Sequence, residues 1–414
     1  MSLTLIRQLA WRYLRGKRTA NAVPVLSRIS MVAIGVGAAA MIILFSVFNG
    51  FEGLVKDLYR AFYPDIRITA AQGKFFQLDD DIYKRLQHTE GVALMSRVLE
   101  DNVLLNSSSD EKRFATLKGV DADYFKVNDV AVYVTEGIST IATEPVQTAL
   151  IGSQLLGQLG LDVNNAFSFM NAYYPNPKAT PSEIAQSPEQ AFQSLRLRPD
   201  GAFTIQDDFD GKYVIADIGL VQGLVQEPGK YSSLELKLKP GADPEDVSAI
   251  IQSQLGSGYK VQTRFEQNRD LYTIMQSEKW AVYGILVLVL MIAAFNMVGA
   301  LSLLVLEKQK DIGILKAMGA RNSHISGIFL SEGTLWALLG GGAGLALGIL
   351  LCIGQQQFGW IKLGGAFIIE AYPIRLQVAD ILVILVTILA IGLLAAWFPA
   401  ARATKVEGIS LKSD

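Results

Sequence analysis

The residues in this chain that could do chemistry are few, and their spacing rules out most reactions. Gly-Lys pairs begin at Gly16, Gly73, Gly211 and Gly229. None lies in the Gly-x-x-x-x-Gly-Lys-Ser/Thr frame that cradles nucleotide phosphates. The two histidines, His88 and His324, are far apart in sequence, and both are read as solvent-facing. With no nucleophile elbow and no Ser/His/Asp order, general-base options are scarce. Asp79, Asp80 and Asp81 open a predicted helix, where acids complement the backbone dipole; they are read as solvated rather than metal-binding. Asp207, Asp208, Asp210 and Gly211 resemble a calcium loop faintly and lack the remaining ligands at proper spacing. The single cysteine, Cys352, sits in an apolar run, so there is no disulfide frame and no information about compartment. No catalytic residue, no metal ligand and no cofactor held by this chain is expected. The net charge of −2 indicates no bulk attraction to nucleic acid.

A different pattern stands out at residues 296–321. A membrane-grade apolar run stops at Leu306 and a short charged segment follows at once. Within it Ile312, Leu315 and Met318 recur at i, i+3 and i+6 and so share one helical face. Glu307, Lys308, Lys310, Asp311 and Lys316 take the rest, and Gly319 stands where a helix C-cap would, before Arg321. This is a short amphipathic helix pinned between two membrane spans. With little to bury against in its own chain, it is expected to dock on something outside the membrane. Spacing alone fits an ordinary interfacial loop helix equally well.

Elements of membrane length must hold that helix. Half of the 414 residues are hydrophobic, too many for an ordinary soluble chain. Four runs of about 20 residues or more fit spans: 29–48, 280–306, 325–353 and 379–398. No Lys, Arg or Asp lies at their centres, and Glu332, near the start of the third, is expected to reach the interface. Residues 2–18 form a basic amphipathic helix within a cytoplasmic segment 1–28, read as leading into an uncleaved first span. Arg and Lys cluster at 7–28, 308–321 and 402–412, whereas the loop 354–378 holds only Lys362 and Arg375. By the positive-inside bias both termini (1–28 and 399–414) and the 307–324 loop are cytoplasmic. The 49–277 region and the 354–378 loop are then extracytoplasmic. Gly340, Gly344 and Gly348 repeat a small-xxx-small pattern that admits a close helix neighbour, unless they reflect the general tolerance of membrane helices for glycine. Asn296 is read as an interhelical hydrogen-bonding residue.

The wording of these segments carries a resemblance. "EKQKDIGILKAMGA" resembles the coupling segment of ABC-transporter permeases of the FtsX/MacB type. "FNMVGALSLLVLEKQKDIGILKAMGA" and "LFSVFNGFE" (44–52) resemble more narrowly the lipoprotein-releasing permeases LolC and LolE. The resemblance covers the spans and their flanks well and the extracytoplasmic region in outline. It implies two ATPase subunits carrying ATP and magnesium, docked through Glu307, Lys310, Asp311, Ile312, Leu315, Lys316, Met318, Gly319 and Arg321. It further implies a second permease chain, identical or related, a lipoprotein substrate, membrane lipid and a periplasmic carrier. The lipid anchor would enter between the first and second spans of the two permeases along Phe48, Asn49, Phe51, Met291, Phe295 and Met297; plain bundle packing is the rival reading for each. The chain begins about 28 residues before its first span, so no fused ATPase is expected. MacB- or FtsX-like force transmission to an efflux or cell-wall partner is the second reading. A membrane-anchored receptor or adhesin is the third, disfavoured by the C-terminal three-span bundle.

The expected fold is a four-span α-helical membrane protein with a large extracytoplasmic α+β domain. In that domain residues 65–71 read as a strand, 78–90 as a helix, and 95–106 with 113–120 as a hairpin. After a long insertion come a strand at 232–238, a helix at 244–255 starting after Asp243, and a strand at 259–265. These make a split α+β part, 49–121 with 231–277, Porter-like in the permeases the chain resembles. Residues 122–230 are expected to form an inserted, mostly β, Sabre-like lobe with a proline-rich loop at 173–188. That loop does not match a carrier-binding hook.

Overall fold

The apolar runs fold as four long helices, and the polar stretch between the first two folds as a mixed sheet with short helices. The computed structural model describes residues 23–176, 179, 191–362 and 371–405. The predicted basic helix at 2–18, most of the proline-rich stretch 173–188 and the tail beyond 405 lie outside the described residues.

In chain order the elements are α1 (Val23–Phe62), β1 (Ile66–Ala70), α2 (Asp80–Gln87), β2 (Val92–Ser107) and β3 (Lys112–Val120). There follow β4 (Val134–Gly137), β5 (Thr148–Gly152), β6 (Met170–Pro175), β7 (Phe192–Phe203), β8 (Tyr213–Asp217) and α3 (Ile218–Val225). Next are β9 (Ser233–Leu238), α4 (Pro244–Leu255) and β10 (Tyr259–Thr263). The chain ends with α5 (Arg269–Glu307), α6 (Gln309–Ala317), α7 (Asn322–Phe358) and α8 (Val378–Ala403). The residues fall into two compact units, Val55–Tyr272 and the remainder.

In the Val55–Tyr272 unit the sheet order is β10-β1-β9-β2-β3-β8-β5-β7-β4, with β6 paired to β2 and β7. β1 runs antiparallel to β10 and β9 and buries Ile66 and Ile68 on one face. The predicted hairpin forms in register, from Val98 opposite Val120 to Asn106 opposite Lys112. α4 starts where its caps require: the Asp243 carboxylate accepts the Glu245 N–H at 2.8 Å, and Pro244 occupies the first turn. The strands of the 122–230 segment join the same sheet, β8 parallel to β3 and β6 antiparallel to β2, and bury a core around Leu155, Leu159 and Val214 together with Leu99 and Leu105 of β2 and Leu117 of β3. A second core, around Ile66, Leu86, Leu236 and Ile251, belongs to the split α+β part.

In the helical unit, glycine sets how closely the helices pack. A Cβ on Gly340 would stand 2.4 Å from the Met31 carbonyl oxygen, and one on Gly344 1.9 Å from that of Gly35. α7 therefore lies backbone to backbone on α1. Gly341 and Gly392 make close seats between α7 and α8, where an added Cβ would stand 2.6 Å from the Ile388 side chain and 2.4 Å from that of Ala337. One apolar cluster runs through all four long helices, including Met41, Ile42, Leu290, Met297, Trp336 and Ile388. Glu332 does not reach the interface. α7 starts at Asn322, so Glu332 lies about 15 Å along the helix at about 1.5 Å per residue, and it is buried. His324 is half-buried rather than solvent-facing, with its Nδ1 shielded, whereas His88 is exposed.

Candidate functional site

The short helix between the spans, α6, is held in place from both sides. At its end Gly319 takes φ +89°, its N–H donates to the Lys316 carbonyl, and the Ala320 N–H donates to that of Leu315. This is a Schellman closure, which needs a left-handed residue at that point. The helix is not short of burial partners in its own chain. α8 continues to Ala403, and Ala400 and Ala403 extend the apolar cluster at that end of the bundle. Ile312 is 2% exposed within this cluster, together with Leu304 and Ile325, and Leu315 packs against it. The face that spacing assigned to an outside partner is thus turned largely inward. Lys316 is engaged as well, its Nζ donating to the Thr404 carbonyl at 2.8 Å. Lys308 and Asp311 pair at 3.2 Å. What remains outward is Glu307, Lys310, Ile314, Met318, Gly319 and Arg321, with Met318 80% exposed. Ile314 was missed because it falls off the i, i+3, i+6 row.

The six residues read as a lipid path separate into two groups. Phe51, Met291 and Phe295 are exposed, Phe295 at 74%, and Phe48 is half-buried. Met297 is fully buried in the bundle core and offers no surface to lipid. Asn49 is buried in a polar knot. Its Nδ2 donates to Asp380 Oδ2 and, at 3.3 Å, to the Arg375 carbonyl. Lys279 Nζ donates to Asn49 Oδ1 at 2.8 Å and to Asp380 Oδ1 at 3.1 Å. The residues after Asn49 complete the seat. A Cβ on Gly50 would be 2.2 Å from the Pro373 carbonyl oxygen, and one on Gly53 2.9 Å from the Arg375 guanidinium.

The Val55–Tyr272 unit contains a buried ionic centre of its own. Lys118 on β3 reaches across β2 to Glu235 on β9 at 2.7 Å, both nearly inaccessible, and Asn128 also donates to Glu235. Beside them Arg67 pairs with Glu100. Burial alone would raise the Glu100 carboxyl, but Arg67 and Lys118 outweigh it and hold it below the usual range. Lys118 also lies 4.7 Å from the centre of the Phe62 ring, at the end of α1, and 4.9 Å from that of Tyr124. Phe62 stacks on Phe209 at 4.4 Å within a larger aromatic group that includes Tyr59, Tyr63 and Tyr213. A cleft of about 570 Å³ opens beside it, lined among others by Tyr59, Asp208, Lys212 and Arg269. Among the described residues no group of three or more His, Cys, Asp or Glu is placed to hold a metal ion.

Comparison with known proteins matches residues 27–254 to the MacB-like periplasmic core domain, more than half of the chain, and residues 283–408 to the FtsX-like permease C-terminal domain. The chain belongs to this permease family. It is 27% identical over 421 residues to the lipoprotein-releasing system transmembrane protein LolE of Haemophilus influenzae, covering 98% of each chain. To LolC of Neisseria meningitidis serogroup B it is 25% identical over 418 residues, covering 96% of this chain and 97% of that one. Among solved structures, the periplasmic region of MacB from Actinobacillus actinomycetemcomitans superposes with a TM-score of 0.36 at 10% identity, covering 53% of this chain and 98% of that one.

This permease is a multi-pass inner-membrane protein with its large mixed α/β domain in the periplasm. Among the described residues four helices are long and apolar enough to cross a membrane. Lys279 and Asp380 were overlooked as site residues because each stands at the edge of an apolar run, where a lone charge reads as a flank. The signal available in the sequence was the shared level: Asn49, Lys279 and Asp380 each lie within two residues of the extracytoplasmic end of a predicted span.

Proposed function

We propose that the chain is the permease subunit of an ABC transporter that releases lipoproteins from the inner membrane towards a periplasmic carrier. The observation carrying this reading is similarity to LolE and LolC along essentially their whole lengths, spans and periplasmic domain together. Two copies of a separate ATPase, binding ATP and magnesium, dock on α6, and a second permease chain, identical or related, completes the membrane pathway. The exposed Ile314 and Met318, ringed by Glu307, Lys310 and Arg321, give that docking an apolar anchor with a charged rim. Because Ile312 and Lys316 bind α6 to its own bundle, a push on α6 is delivered to α5, α7 and α8 rather than absorbed by a loose loop. α1 and α5 are each unbroken over about 40 residues and carry the motion outward. Phe51, Met291 and Phe295 offer apolar, adaptable surface to acyl chains.

Two experiments test this. In detergent, the ATPase is expected to copurify with wild type and to be lost from Ile314→Asp combined with Met318→Asp. Retention in the double variant sinks the docking assignment. Depletion of the chain in cells is expected to strand outer-membrane lipoproteins in the inner membrane. Unaltered sorting after depletion removes lipoprotein release and leaves force transmission to another envelope partner, the MacB- or FtsX-like alternative.

A further inference from the structure

Glu332 is a buried acid that the proposed function leaves unused. It is 1% exposed, and its Oε2 has no hydrogen-bond partner among the described residues. Phe329 and Trp336, three residues before it and four after, share its face of α7 and belong to the apolar cluster of the bundle. Its neighbour Gly333 seats against Leu301 of α5 and Ala396 of α8. A buried carboxyl without a hydrogen bond adds nothing to packing that an apolar side chain would not supply better, and an ionisable residue inside a membrane helix marks function by default. What Glu332 contributes is therefore its charge, and the charge that acts on it is that of Lys308. Lys308 is the corner between two helices. Its N–H donates to the Leu304 carbonyl at 3.0 Å at the end of α5, and its own carbonyl accepts from the Ile312 N–H at 2.9 Å at the start of α6. Its Nζ pairs with Asp311 of α6 at 3.2 Å, and its side chain is only 33% exposed.

We infer that Glu332 is a positioning residue for α6: its buried carboxylate draws Lys308 back against the bundle and so fixes the corner from which the helix starts. That α6 receives an ATPase rests on the reading above; the hold on α6 does not. The lysine stands between two acids, Asp311 on α6 and Glu332 in the bundle. Attraction through the poorly polarisable interior reaches further than through water, so Glu332 acts without direct contact. α6 is then held at three points: Lys308 at its start, Ile312 in the apolar cluster at its middle, and Lys316 on the Thr404 carbonyl at its end. A carboxyl that served packing alone would make stability and the order of α6 fall together when it is replaced. A carboxyl that acts by charge separates the two, because removing an uncompensated buried charge relieves the bundle while it releases the corner.

The test uses the full chain in lipid nanodiscs, with Cys352→Ala and a spin label at Gln309→Cys, an exposed residue in the first turn of α6. Glu332→Gln keeps the shape and removes the charge. It is expected to raise the ratio of mobile to immobile label about fivefold, while the melting temperature by circular dichroism stays level or rises. Glu332→Asp keeps the charge and leaves a small cavity, so it should melt lower with the label still immobile. Glu332→Gln added to Lys308→Met should leave the label no more mobile than Lys308→Met alone. Unchanged mobility in Glu332→Gln overturns the inference, and so does a loss of label order that comes with a lower melting temperature. A further gain in mobility in the Lys308→Met background shows that Glu332 acts through another group and overturns it as well. With the ATPase added, Glu332→Gln is expected to bind it about fivefold more weakly. A loosened α6 that binds the ATPase as tightly as wild type keeps the positioning role and removes α6 as the docking site instead.

Discussion

Replacing Gly344 by alanine tests the packing of the bundle at its tightest point. The added carbon would sit 1.9 Å from the Gly35 carbonyl oxygen, 2.5 Å from its carbonyl carbon and 2.6 Å from its Cα. All three are backbone atoms, so no side-chain rotation relieves the clash. Ordinary contact begins at 3.4 Å, so α1 and α7 must part locally by about 1.5 Å. A gap of that size forfeits much of the dispersion between the facing surfaces, and overpacking of this kind costs about 1–3 kcal/mol. The upper end of that range is expected here. Gly348→Ala should cost less, because the first atom its Cβ meets is the Ile42 Cγ2 methyl at 2.3 Å, part of a side chain that can shift. Gly342→Ala is the control. Nothing lies within 4 Å of its Cβ, and alanine is favoured over glycine in a helix by about 1 kcal/mol. The assay is built into the chain: Cys352 is its single cysteine and is buried, so reaction with a fluorogenic maleimide on heating reports unfolding. The expected order of melting temperatures is Gly342→Ala, then Gly348→Ala, then Gly344→Ala. A Gly344→Ala protein that melts with the Gly342→Ala control refutes the close approach of the two helices.

Other consequences can be measured in the periplasmic domain and at α6. Lys118→Met alone leaves Glu235 buried with Asn128 as its remaining side-chain partner, and should lower stability by about 3–5 kcal/mol. Lys118→Met with Glu235→Leu should recover most of that loss in chemical denaturation, and failure to recover would show that the pair itself holds the sheet. Burial raises the Asp210 carboxyl to about 6 from 3.8, against the pull of backbone donors at Ile205 and Gln206. The folded state therefore holds this proton more tightly than the unfolded chain, and its contribution to stability is present below pH 3.8 and is lost as pH rises through about 6. Asp210→Asn keeps an acceptor for the Ile205 N–H and is expected to flatten that slope in melts across the window; an unchanged slope assigns it to another group. Ile312→Ala should destabilise the bundle by about 2–5 kcal/mol in the maleimide melt, whereas Ile314→Ala should leave it within about 0.5 kcal/mol. Equal effects would contradict the inward turn of α6.

Much of the architecture was legible because its causes are local. Unbroken apolar runs located α1, α5, α7 and α8, although each helix extends beyond its predicted span, since charged residues at a helix end do not stop a helix. Asp243 and Pro244 marked the start of α4, and Gly319 marked the close of α6, because capping groups act within one turn. The strand reading of 65–71 and the hairpin reading of 95–106 with 113–120 placed β1 and the β2–β3 hairpin. The small-xxx-small spacing of Gly340, Gly344 and Gly348 marked a helix contact but not its partner, which is α1.

By itself, then, the sequence determined which segments are helices, which cross the membrane, that a short amphipathic helix lies between two of them, and that no nucleotide-binding loop is present. Only the tertiary structure decided which face of α6 is free, since that depends on Ile312 joining the apolar cluster of the long helices and on Lys316 reaching the Thr404 carbonyl. It also decided that Asn49 meets Asp380 across 331 residues, and that Lys118 meets Glu235 across 117. Periodicity records how a residue sits on its own helix or strand. It holds no information about which distant element will cover that residue, and a buried charge is stable only because of that distant partner.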